Sequence, residues 1–64
     1  MLQIGDKVRL KYDLKIGKKY GGLILDKNKT FGGEQAVIWK NTQGLVELSN
    51  GNYYTEEMLI FVRR

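Results

Sequence analysis

Eleven lysines and arginines and seven carboxylates carry all the charge in this chain, and neither cysteine nor histidine accompanies them. Without a thiol there is no disulfide, no thiolate metal site and no thiol nucleophile. Without an imidazole the commonest general base, the commonest neutral metal ligand and the usual pH switch are also missing. A nucleophilic mechanism would have to use a lysine or a carboxylate as its base. Glu56 and Glu57 are adjacent carboxylates, but neighbours within one turn point apart, and a place at the start of a helical turn explains both. Asp6, Asp13 and Asp26 could surround a divalent ion, yet their spacing matches no compact calcium loop, and separate loop aspartates are ordinarily solvated. Gly21-Gly22 and Gly32-Gly33 could offer backbone N–H groups to a phosphate. Neither pair opens a helix or is followed by the Lys-Ser/Thr of a phosphate loop, so tight turns account for them better. These absences point to a chain that is not an enzyme and uses no metal or cofactor.

Binding chemistry has more to work with. The net charge is +4 and unevenly placed. Residues 1–31 hold eight Lys/Arg against Asp6, Asp13 and Asp26, a balance of +5, while residues 32–64 hold three against four glutamates, a balance of −1. A basic half can attract nucleic acid, an anionic ligand or an acidic protein, although a solvated face that keeps a small protein soluble accounts for the same charges. The seven aromatics are Tyr12, Tyr20, Phe31, Trp39, Tyr53, Tyr54 and Phe61. They either fill a small core or supply exposed rings for a partner.

The elements that must position these groups have period two. Val8, Leu10 and Tyr12 alternate with Lys7, Arg9 and Lys11, which predicts a strand over Lys7–Tyr12 with one face in the core. Asp13–Gly22 reads as a long loop, Leu23–Leu25 as a short apolar edge, and Asp26–Gly33 as a second loop anchored by Phe31. Glu34–Lys40 is a strand with Ala36 and Ile38 on one face and Val37 and Trp39 on the other. Both faces are apolar, and the pattern assigns Ala36 and Ile38 to the core. Leu45–Leu48 follows after a short connection. Asn50-Gly51 then signals a type I′ hairpin into Tyr53-Tyr54. Thr55-Glu56-Glu57-Met58 reads as a 3-10 turn capped by the Thr55 hydroxyl, and Leu59–Arg63 as the last strand.

Five short strands, a long first loop and a 3-10 turn before the last strand describe an all-β, SH3-like barrel occupying residues 1–64 as one domain. A chain this short buries only about 60% of its unfolded surface, and closing the sheet would remove exposed edges. Gly5-Asp6-Lys7-Val8-Arg9, Asp13–Gly22 (Asp-Leu-Lys-Ile-Gly-Lys-Lys-Tyr-Gly-Gly) and Tyr54-Thr55-Glu56-Glu57-Met58-Leu59 resemble small uncharacterised phage and prophage proteins of Gram-positive bacteria. The resemblance covers about a third of the chain and implies the fold and a phage-linked origin, but no activity. Trp39 and Lys40 depart from that pattern.

Three functions stay open on these residues. The first is a protein-binding module that engages a host protein, and inhibits it in one version, through Val37, Trp39, Tyr20 and Tyr53. Tryptophan and tyrosine dominate protein interfaces, and the same patch could bury itself in a homodimer. The second is a nucleic-acid interface. Antiparallel pairing of the first and last strands would gather Arg9 and Lys11 with Arg63 and Arg64, and Lys18 and Lys19 follow in the loop. The third is a small oligomer that holds an anionic small molecule between subunits. The longest apolar run, Met58 to Val62, is far short of the roughly 20 residues of a membrane span. No basic start and apolar stretch of a signal peptide precedes Gly5, so a soluble cytoplasmic chain is expected.

Overall fold

The computed structural model describes residues 1–64. Its strands are β1 (Lys7–Leu10), β2 (Lys19–Tyr20), β3 (Leu23–Ile24), β4 (Gln35–Lys40), β5 (Leu45–Leu48), β6 (Tyr53–Thr55) and β7 (Leu59–Arg63). Two 3-10 turns, Lys27–Lys29 and Glu56–Met58, interrupt them, and there is no α-helix. One antiparallel sheet of five strands runs in the order β6-β5-β4-β1-β7, and β2 with β3 forms a separate hairpin. The expected all-β class and the pairing of first with last strand both hold. The sheet does not close: β6 and β7 are its two edges. β6 is nevertheless not bare, because the segment between β1 and β4 folds against it. Thr55 Oγ1 donates to the Tyr20 carbonyl at 2.6 Å, and Asn52 Nδ2 donates to the Asn28 carbonyl at 3.4 Å. The Tyr54 hydroxyl donates to the Lys29 carbonyl.

The core is Leu2, Val8, Leu25, Val37, Val46, Leu48, Tyr54, Met58 and Leu59, with Leu10, Tyr20 and Phe31 packed on its margin. Phe31 meets Tyr54 edge-on, with ring centroids 5.6 Å apart, so it is the anchor its loop requires. Two expectations fail here. Tyr12 is 94% exposed, because β1 ends at Leu10 and the chain turns away after the Lys11 N–H bonds the Met58 carbonyl. Val37, assigned to the surface by alternation, is 1% exposed, whereas Ile38 is 49% exposed. The cause is a register shift in β4: Val37 lies opposite Leu48, and Trp39 lies opposite the adjacent Glu47, which leaves Ile38 as the extra residue. Such a bulge breaks the two-residue period. Val37 points into the core, while Ile38 and Trp39 both emerge. The N-terminal turn holds this arrangement, because Gly5 N–H donates to the Val37 carbonyl at 2.8 Å and Val37 N–H donates to that of Asp6 at 2.9 Å.

The turns also differ in kind from their expected types. Gly21 and Gly22, at φ 63° and 90°, form the two-residue connection of the β2–β3 hairpin, the geometry of a type I′ turn. Asn50 does not have positive φ, so Asn50-Gly51 is not type I′. Instead Ser49–Gly51 is a three-residue loop closed by Gly51 N–H to the Leu48 carbonyl at 2.8 Å, with Gly51 at φ 88° as the bulge residue. The requirement for glycine survives the change of type. Gly51→Val should lower stability by about 1–2 kcal/mol in urea denaturation, from backbone strain alone, since the space around the new side chain is open. The 3-10 turn at Glu56–Met58 is present as expected, but Thr55 makes no side-chain cap, because its hydroxyl is committed to Tyr20.

Candidate functional site

The bulge that exposes Ile38 also aims Trp39 outward, 42% exposed, on a row that crosses three strands. Trp39 lies opposite Glu47, and Glu47 lies opposite Tyr53. The Trp39 and Tyr53 rings meet above that row with centroids 5.9 Å apart and planes at 76°, an edge-to-face pair. Such a pair contributes roughly 0.5–1.5 kcal/mol beyond its burial and holds both rings in place. Tyr53 is 43% exposed, and Ile38, next to Trp39 on β4, is 49% exposed.

The other members of the expected patch lie elsewhere. Val37 is sealed in the core beneath the bulge and cannot touch a partner. Tyr20 belongs to the β2–β3 hairpin and packs against the core margin; its hydroxyl accepts the Lys15 N–H at 2.7 Å, and the Lys18 ammonium sits 5.7 Å from its ring. Ile38 is the site residue that sequence reasoning assigned to the core. Four consecutive residues, Ala36 to Trp39, carry no polar side chain that would mark the bulge.

The expected basic cluster is dispersed. Arg63 pairs with Lys7 across the ladder, Arg9 with Ile60, and the Lys11 N–H reaches the Met58 carbonyl. Arg63 therefore lies at the start of β1 and Lys11 beyond its end, about 13 Å apart at the usual strand rise. Arg63 is bound to Glu34 at 2.9 Å and Arg64 to Asp6 at 3.1 Å. Asp6 is buried and also accepts the Gln3 N–H at 2.8 Å, so this carboxylate holds the N-terminal turn. Arg9 and Lys11 line a separate groove of about 500 Å³ with Tyr12, Phe31 and Ile60. Lys18 and Lys19 belong to the hairpin region.

No three acidic side chains gather where they could hold a metal ion. No helix is long and apolar enough to cross a membrane. Comparison with protein-family models, curated proteins and solved structures returns no match for this chain.

Proposed function

We propose that this chain is a small non-catalytic binding module of SH3-like architecture that engages a protein partner through Ile38, Trp39 and Tyr53. The strand order, the long segment after β1 and the 3-10 turn immediately before β7 support the architecture. The edge-to-face Trp39–Tyr53 pair, half-exposed beside Ile38, carries the function. Rigid aromatic rings lose little entropy on binding and dominate interface energies. A phage origin, with a host protein as the partner, rests on the three segments similar to phage proteins. Nucleic-acid binding has less support, because two of the six cations proposed for it hold carboxylates and the rest are spread over separate elements.

Affinity capture from the cell in which the chain acts tests this reading. A specific protein should be retained by the wild type and lost by Trp39→Ala, with affinity falling about 30-fold or more, the effect of losing a hot spot of about 2 kcal/mol. Urea denaturation of Trp39→Ala should move by no more than about 1–2 kcal/mol, since the ring is not fully packed. A partner retained equally by both proteins, or recovered only through nucleic acid and released by nuclease, overturns it.

A further inference from the structure

A second surface shares no residue with the Trp39 row. Residues 14–29 carry Lys15, Lys18, Lys19, Lys27 and Lys29 against one carboxylate, Asp26; five less one is +4, the net charge of the whole chain. Neither ion pair of the structure, Arg63–Glu34 or Arg64–Asp6, involves any of these lysines. Asp26 itself is occupied as the cap of the Lys27–Lys29 turn, where Oδ1 accepts the Asn28 N–H at 3.4 Å. Within this segment lies an apolar groove of about 520 Å³, walled by Ile16, Leu23, Ile24 and Leu25, with Lys19, Lys29 and the capping Asp26 also in its lining. Ile16 and Ile24 are 60% and 48% exposed. The walls are clamped by backbone bonds, Gly17 N–H to the Leu25 carbonyl at 2.8 Å and Leu25 N–H to that of Lys18 at 3.0 Å. A groove held this way needs little ordering when a ligand enters.

We propose that this groove binds an acidic segment of a partner protein whose aliphatic side chains are interleaved among its aspartates and glutamates. The isoleucines offer apolar seats, and Lys19 and Lys29, neither in an ion pair, complement carboxylates of the bound segment. Single-stranded nucleic acid fits less well, because such binders stack bases on exposed rings. The one ring of this segment, Tyr20, is packed on the core margin with its hydroxyl bonded and Lys18 beside it. The proposal goes beyond the Trp39 contact and does not rest on it.

The test is a titration of the isotope-labelled full chain with a short synthetic peptide of aspartate and glutamate containing two leucines, followed by amide chemical shifts. Shifts should concentrate at Ile16–Asp26 and Lys29, and binding should weaken several-fold in about 0.5 M salt, where screening shortens to a few Å. Ile24→Asp and, separately, Lys19→Glu should each reduce affinity about tenfold or more, both positions being exposed enough to leave the fold intact. Trp39→Ala should bind the peptide as the wild type does, which separates this surface from the first. Unchanged affinity in the folded Lys19→Glu protein, or shifts centred on other strands, overturns the proposal. So does binding at these residues by a single-stranded oligonucleotide or by phosphatidylserine vesicles when the acidic peptide fails to bind.

Discussion

Tyr54→Ala should cost the chain about 3–5 kcal/mol, from a third of its stability to all of it. Tyr54 is fully buried on β6 and meets Phe31 edge-on. Its hydroxyl donates to the Lys29 carbonyl and accepts from Asn50 Nδ2 at 3.0 Å, so one side chain ties the 3-10 turn at Lys27–Lys29 and the β5–β6 loop to the sheet. Truncating a buried aromatic to alanine costs about 3–5 kcal/mol. A domain of this length holds roughly 3–10 kcal/mol in all, at about 0.05–0.15 kcal/mol per residue. No disulfide backs it up. Tyr54→Phe keeps the ring and removes only the hydroxyl, so it should cost about 1–3 kcal/mol, the price of two polar groups losing a partner. Circular dichroism under urea separates the two. A loss below about 1 kcal/mol for Tyr54→Ala would mean that the ring is not the centre of this core.

Gly21→Val is the second large effect, and Gly22→Val is its internal control. Both glycines have positive φ, 63° and 90°, so valine at either carries the left-handed backbone penalty, at least about 1–2 kcal/mol. Their surroundings differ. A Cβ at Gly21 would come within 3.0 Å of both Thr55 Cβ and Glu57 Oε2, whereas one at Gly22 meets nothing within 4 Å. The glutamate can swing aside. Thr55 cannot, because it is buried and its hydroxyl holds the Tyr20 carbonyl at 2.6 Å. Forcing volume against such a site costs a further 1–3 kcal/mol or about that. Gly21→Val should therefore be the more destabilised by about that margin in paired urea denaturations. Equal losses would show that the hairpin does not seat against β6 as closely as described.

Much of the architecture was legible in the chain because strands and tight turns are local. The alternation of Val8 with Arg9, the glycines at the tight turns and the Thr55-Glu56-Glu57-Met58 turn each follow from backbone dihedrals and side-chain period within a few residues. Phe31 was legible as an anchor because it is a lone large apolar residue in a polar stretch. The basic residues show where local reading stops. Arg64 finds Asp6, and Lys40 Nζ reaches the Leu2 carbonyl at 3.0 Å, through contacts that exist only after distant segments meet.

The same limit governs the aromatic patch. Period two, carried through Ala36-Val37-Ile38-Trp39, puts Val37 and Trp39 on one face. The bulge at Ile38 separates them, burying the valine and exposing both of its followers. Either register of that apolar run satisfies the local preference for extended backbone. The choice between them came from elsewhere in the chain: the turn at Gln3–Asp6 bonds both backbone groups of Val37, and β5 presents Leu48 opposite it. Local residues dictated that a strand would form here, while long-range hydrogen bonding and packing dictated which of its side chains face water.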